Sequence, residues 1–142
     1  MPKLRDQDRA VAAHKAVQRQ TSQWQGDRDK KKLTEFRQEL QQLPSRILVS
    51  GLGQTLAFYA SKAGPGDSDG IHATIGDELA RFLTDGQQTR TVGLLNEIVA
   101  GDSGSYRRHT RAALAYAEWL KRYAAALIEK PKGASDRGGE GS

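Results

Sequence analysis

The sequence predicts an all-α protein, folded as a compact bundle of about six helices with a long C-terminal helix. Three observations support this fold class. Apolar residues recur three or four positions apart along most of the chain, which is the spacing of one helix face. Strand signals are nearly absent, because no long stretch alternates apolar and polar residues and no hairpin turn separates β-branched runs. The 142 residues can bury a single core, so one domain is expected.

The first two helices are predicted over residues 4–24 and 28–43. The first is rich in Ala, Gln, Arg and Lys and has only a thin apolar stripe. The second has a regular stripe, formed by Leu33, Phe36, Leu40 and Leu43. Gly26 and Asp27 separate the two segments, although one long helix with a break near Gly26 fits the same pattern.

A third helix is predicted over residues 45–62, opened by Pro44, because proline suits the first turn of a helix. The motif Gly51-Leu52-Gly53 lies inside this segment, where each glycine costs roughly 1 kcal/mol relative to alanine. That cost indicates either a tight approach of another helix or a short break. The motif is not a phosphate-binding loop, since no strand precedes it and no Lys-Ser or Lys-Thr pair follows it.

The remaining helices are predicted over residues 71–83, 88–100 and about 105–130. The last one has the strongest pattern, with helical spacing over roughly six turns. Ser105 is its predicted N-cap and Pro131 its end. We therefore expect a single helical domain over residues 1–130 and a disordered tail over 131–142, where Gly, Ser and charged residues dominate.

Charge is unevenly distributed along the chain, whose net charge is +5. Residues 1–32 carry nine Lys/Arg against four Asp/Glu, residues 64–105 carry two against seven, and residues 106–130 carry six against two. Both ends can therefore contact phosphate, while the acidic middle can contact basic partners. The N-terminus lacks an apolar signal-peptide core, no apolar run approaches roughly 20 residues, and cysteine is absent. These features predict a soluble cytoplasmic protein that does not enter a membrane.

Residues for catalysis or metal binding are not grouped in the sequence. His14, His72 and His109 fall on three different predicted helices without partners at metal-ligand spacing. The adjacent carboxylates Asp77 and Glu78 point in different directions on a helix. No nucleophile has a positioned base. We therefore expect no enzymatic activity and no cofactor or metal.

The basic residues of the last helix carry more information. Arg107 and Arg111 are four positions apart and share a face, Arg108 lies beside them, and Lys121 and Arg122 follow. Arginine offers a planar fork of donors that matches phosphate oxygens. Two interpretations stay open: these side chains contact a polyanion, or they pair with the acidic middle of the same chain.

Two motifs resemble a known family. One is Gly51-Leu52-Gly53-Gln54-Thr55-Leu56-Ala57-Phe58-Tyr59-Ala60-Ser61-Lys62; the other runs from Tyr106 through Thr110 and Ala113-Leu114 to Trp119-Leu120-Lys121-Arg122-Tyr123-Ala124. Together, and in this order, they resemble the small α-helical subunit of the Cmr complex, the type III-B CRISPR RNA-guided effector. The resemblance covers roughly residues 10–128.

The resemblance implies a non-catalytic, cytoplasmic subunit in antiviral defence. Its expected partners are other Cmr subunits, copies of itself, guide RNA and target RNA. Such a subunit must accept any guide sequence, so it is expected to contact the RNA backbone rather than the bases. The expected RNA-binding residues are Arg107, Arg108, Arg111, Lys121 and Arg122, followed by Arg46 and Lys62. Trp119 is expected to be a core or subunit-contact anchor rather than a platform for bases.

Two other functions compete with this one. A helical DNA-binding regulator would use the last helix as a recognition helix after the turn at residues 101–105. A protein-only adaptor would dock acidic partners on its basic faces.

Overall fold

The computed structural model describes residues 5–63 and 70–129, and every regular element in this part of the chain is helical. The predicted all-α class, with six α-helices and the longest one last, is confirmed. A 3-10 turn at Asp27–Asp29 joins the first two helices. The α-helices are α1 (Arg5–Gln23), α2 (Lys30–Ser50), α3 (Leu52–Ala63), α4 (Ile71–Leu83), α5 (Thr91–Ala100) and α6 (Ser103–Leu127). The predicted tail over 131–142 lies outside the described residues, so it stays a prediction, as does the single domain over 1–130.

Helix α6 is the central element, because both α1 and α2 pack along it. The inward side of α6 carries three fully buried alanines, Ala113, Ala117 and Ala124, together with Leu120 and Tyr116. Small residues let the neighbouring backbones approach closely, and the larger two fill the space between them. Helix α3 packs against α2, α4 and α5, and so links the outer helices to the centre.

One apolar cluster holds the described helices together, with contributions from all six α-helices. Its largest fully buried side chains include Phe36 and Leu40 of α2, Tyr59 of α3 and Tyr116 of α6. Among the described residues, no helix is both long enough and apolar enough to cross a bilayer.

The predicted boundary at Pro44 is wrong. Helix α2 continues through Pro44 to Ser50, and the chain breaks instead at Gly51, whose φ of 90° suits glycine and few other residues. A proline inside a helix removes one backbone hydrogen bond and costs about 3 kcal/mol. Pro44 is itself buried beside Leu43 and Ile47, so core packing offsets that cost.

The predicted cap of the last helix is also wrong. Asp102 is the N-cap of α6, and its Oδ1 accepts a hydrogen bond of 2.8 Å from the backbone N–H of Ser105. Ser105 itself lies inside the first turn. The helix ends at Leu127, before Pro131, because Ile128 adopts an extended conformation. The chain breaks near Gly26, as both alternatives for the N-terminal segments expected; Gly26 has a φ of 87°, and the 3-10 turn that follows it separates α1 from α2.

Candidate nucleic-acid interface

The outward side of α6 carries a basic stripe. Arg107, Arg111 and Arg122 fall within about 60° of one another around the helix and span about 22 Å along it, from the geometry of 3.6 residues per turn. Arg108 flanks the stripe on one side and Lys121 on the other. The four arginines are exposed, and Lys121 is half-buried. We call these five residues, Arg107, Arg108, Arg111, Lys121 and Arg122, the α6 outer face.

The periodicity of α6 explains why these cations point outward. Ala113, Leu120 and Ala124 occupy the opposite side, and all three are buried in the core. Rotating the helix to bury the arginines would expose that apolar side to water, at roughly 25 cal/mol for each Å².

The cations of the α6 outer face have no ion pair within the described residues. Two acidic residues from the middle of the chain have other partners: Asp77 lies 3.4 Å from Arg90, and Glu78 lies 2.8 Å from Arg19. Among the described basic and histidine side chains of α6, only His109 lies within ion-pair distance of an acidic residue of that stretch, with Nε2 3.7 Å from Oε2 of Glu97. Among the described residues, these arginines therefore do not pair with the acidic middle of the chain. One carboxylate, Glu118, shares the stripe and reduces its positive charge locally.

Two glycines, Gly51 and Gly53, contact Tyr106 in the first turn of α6 and so position the start of that helix. The backbone N–H of Gly53 donates a 3.0 Å hydrogen bond to the hydroxyl of Tyr106. A Cβ placed on Gly51 would lie 3.3 Å from the same oxygen, which is tighter than most real contacts. The glycines thus allow the first turn of α6 to approach α3 closely. The Gly51-Leu52-Gly53 motif thus provides both the break between α2 and α3 and the close packing of α6. Arg107 follows Tyr106 in the chain and therefore lies directly beside that contact.

Arg46 and Lys62 come together around Phe58, apart from the stripe. The guanidinium of Arg46 lies 4.6 Å from the ring centre and the ammonium of Lys62 lies 5.8 Å from it. Arg46 also bonds the buried carboxylate of Glu39, to which Tyr59 donates a 2.7 Å hydrogen bond. The hydrogen bond to Glu39 raises the pKa of Arg46. Its charge is therefore largely matched within the protein, and Lys62 is the more available cation of this pair.

A groove between α1, α4 and α6 contains basic residues that the sequence reasoning missed. The groove has a volume of about 680 Å³. Arg9 and Lys15 of α1 line it together with Arg108 of the α6 outer face. The surplus of Lys/Arg in residues 1–32 signalled a basic N-terminal helix, but not which of its side chains would face α6.

His14, His72 and Trp119 occupy structural positions. His14 packs edge-on against Tyr123 with ring centres 5.1 Å apart, and His72 packs in the same way against Phe58 at 5.8 Å. No group of three potential metal ligands occurs among the described residues. The indole N–H of Trp119 donates to Asp6 at 2.9 Å, and its ring packs on the core.

Comparisons with known proteins agree on one family. A family model described as "CRISPR-associated protein (Cas_Cmr5)" matches residues 5–127. The chain is 35% identical over 98 residues to "CRISPR system Cmr subunit Cmr5" of Thermus thermophilus, covering 68% of this chain and 77% of that protein.

A solved structure supports the same relationship. The crystal structure of a CRISPR-associated Cmr5 family protein, also from Thermus thermophilus, superposes with a TM-score of 0.69 at 32% sequence identity. The match covers 89% of this chain and all of the crystallised chain. The family-model match over residues 5–127 includes the α6 outer face.

Proposed function

Since the chain belongs to the Cmr5 family of CRISPR-associated proteins, we propose that it is a small, non-catalytic subunit of a Cmr ribonucleoprotein effector of the type III-B class. In this role it lines the path of guide and target RNA through contacts to the RNA backbone that do not depend on sequence. It supports assembly of the complex for antiviral defence in the cytoplasm.

The observation that carries the RNA-binding part is the α6 outer face. Its four arginines are exposed, and none of its five cations has an ion pair in the described part of the chain, so their charges are available to phosphate. Flexible, exposed Arg and Lys side chains suit backbone contacts, which provide affinity without reading bases. Lys62 adds a further exposed cation beside Phe58, whereas Arg46 contributes less because Glu39 largely matches its charge.

Exposed apolar residues support the proposed protein partners. Leu48 and Val49, at the end of α2, are 74% and 83% exposed, and Val99 of α5 is 78% exposed. A partner that covers these apolar side chains removes them from water, which favours binding. We assign these positions to contacts with other Cmr subunits or with further copies of the same chain.

The test compares two charge reversals of equal size. Arg107→Glu/Arg111→Glu alters the α6 outer face, and Lys30→Glu/Lys31→Glu alters an exposed helix start elsewhere. We expect the arginine pair to weaken binding of single-stranded RNA about tenfold or more, since bonds to charged groups contribute about 1.5–3 kcal/mol each. The slope of log K against log salt should become shallower by about 1.4, which corresponds to two phosphate contacts. The lysine double variant should change the RNA affinity and the salt slope much less.

Several outcomes would contradict the proposal. If both double variants are folded by circular dichroism and weaken RNA binding equally, the α6 outer face is not the RNA-binding site. A marked preference for one duplex sequence would favour the DNA-binding regulator. A native pull-down that contains Cmr subunits but no RNA would favour the protein-only adaptor.

A further inference from the structure

We propose that the groove between α1, α4 and α6 is a second RNA-binding site, which takes one or two nucleotides of single-stranded RNA. This inference rests on the proposed function, because the groove continues the α6 outer face. Arg108 belongs to both surfaces, so a strand that follows the stripe can enter the groove without leaving basic residues.

The charge balance of the groove favours an anion. Arg9, Lys15 and Arg108 have no ion pair among the described residues, and the last two are exposed. Glu78, an acidic lining residue, is matched twice: Arg19 bonds both its oxygens, at 2.8 and 3.1 Å, and Arg81 lies 3.9 Å away. Asp8 and Asp85 complete the acidic lining.

The floor of the groove is apolar and aromatic. Phe82 stacks on Tyr116 with ring centres 4.2 Å apart and planes within 7° of parallel. Tyr116 is buried while Phe82 is half-buried, so Phe82 is the member of the pair that a ligand can reach. Val11, which is 41% exposed, adds an apolar surface on the α1 side. A site with cations at the rim and an aromatic floor is the arrangement that single-stranded nucleic acids use for phosphate and base together.

The dimensions of the groove restrict the ligand. A volume of about 680 Å³ lies within the range of about 300–1,000 Å³ that holds small ligands, and so fits a nucleotide or two. A duplex keeps its bases paired and stacked inside the helix, so it cannot place one on the floor of the groove. An acidic peptide is the competing occupant, but it offers an aromatic ring to Phe82 only where it carries an aromatic residue, whereas every nucleotide carries a flat base.

The experiment uses the full chain and fluorescently labelled RNA of mixed sequence, single-stranded or duplex, over a series of salt concentrations. We expect Arg9→Ala/Lys15→Ala to make the salt slope for single-stranded RNA shallower by about 1.4 and to leave duplex binding nearly unchanged. The control, Arg107→Ala/Arg111→Ala, should weaken binding of both RNA forms.

The pattern of effects separates this inference from the proposed function. If the α6 variant weakens binding and the groove variant does not, the groove is not an RNA site and the proposed function stands. If neither variant changes binding, both proposals are wrong. If the groove variant weakens duplex and single-stranded RNA equally, the groove does not hold unpaired nucleotides and the inference is overturned.

A photocrosslink provides a second, independent measurement. The variant Val11→p-benzoylphenylalanine places the reactive group at the groove, and Val92→p-benzoylphenylalanine places it on the exposed side of α5 as a control. In a native Cmr complex, crosslinking of RNA from position 11 but not from position 92 would support the site. Crosslinking of position 11 to protein alone would identify a protein segment as the occupant and overturn the RNA assignment.

Discussion

Single residues decide where α6 begins and how buried charges are matched. Asp102, just before the helix, accepts the backbone N–H of Ser105 and so satisfies one of the donors that a helix start leaves open. In the core, Glu39 accepts hydrogen bonds from Tyr59 and Arg46, which compensates for its burial. Each case depends on one polar atom with a specific partner.

The cap of α6 leads to a prediction at this scale. Asp102→Ala should lower the free energy of unfolding by about 1 kcal/mol, because it removes the side-chain acceptor of the cap. Ser105→Ala serves as the matched control: it keeps the backbone N–H that Asp102 binds, and it should change stability much less. Urea unfolding measures both variants, and a larger loss for Ser105→Ala would contradict the assignment of the cap.

At the scale of elements, helix contacts depend on whether a small residue sits at the crossing. Gly76 of α4 faces Thr91 of α5, and a Cβ on Gly76 would lie only 2.1 Å from Oγ1 of that threonine. Thr91 cannot turn away freely, because both its N–H and its hydroxyl donate to Asp77 at 2.8 and 3.0 Å. A Cβ on Gly93, in the same pair of helices, would lie closest to Oε1 of Gln88, at 2.2 Å, which is the far end of a flexible side chain.

These two glycines predict opposite responses to the same substitution. Gly76→Ala should destabilise the protein by about 1–3 kcal/mol through overpacking, despite its better helix propensity. Gly93→Ala should be neutral or stabilise by up to about 1 kcal/mol, because Gln88 can move aside. Thermal and urea unfolding of the two variants test this contrast. Equal stability changes would show that the α4–α5 crossing tolerates a methyl group.

For the whole molecule, two buried tyrosines couple global stability to alkaline pH. Burial raises the pKa of Tyr59 well above its ordinary value, and the nearby charge of Glu39 raises it further. Burial likewise raises the pKa of Tyr116, with a smaller contribution from Glu78. Both groups therefore stay neutral in the folded protein at a pH where they ionise in the unfolded chain.

The predicted result is a loss of stability above about pH 10, the ordinary pKa of tyrosine. A raised folded-state pKa contributes stability that is complete below the unfolded pKa and declines as pH rises beyond it. The slope that each tyrosine contributes should rise from about 0.7 kcal/mol per pH unit at pH 10 towards about 1.4 kcal/mol per pH unit near pH 11. Unfolding measurements from pH 9 to 11 should give a shallower slope for Tyr59→Phe and for Tyr116→Phe than for the unsubstituted chain. Identical slopes in all three proteins would contradict the assignment.

Much of the fold could be predicted because its signals are local. The spacing of apolar residues locates α4 at 71–83, as found, and it places α6 to within a few residues. The outward direction of Arg107 and Arg111 follows from the same periodicity, since the buried alanines occupy the other side. The family was predictable from two motifs, and the family-model match confirms it.

Other features could not be predicted, because contacts between distant residues decide them. Proline normally marks a helix boundary, yet Pro44 stays within α2 because the core packs around it, and the break falls at Gly51. Arg46 and Arg107 look alike in sequence, but Glu39 matches the charge of Arg46, whereas Arg107 remains available. The groove that joins Arg9 to Arg108 exists only where α1 packs against α6.

Periodicity, composition and motif order thus specify the helical class, the family and the outward arginines of α6, since each depends on neighbours along the chain. The packed structure specifies where α2 ends, which cations are neutralised and which are gathered into one groove. Those properties depend on distances across the core, between residues up to about a hundred positions apart, such as Arg9 and Arg108.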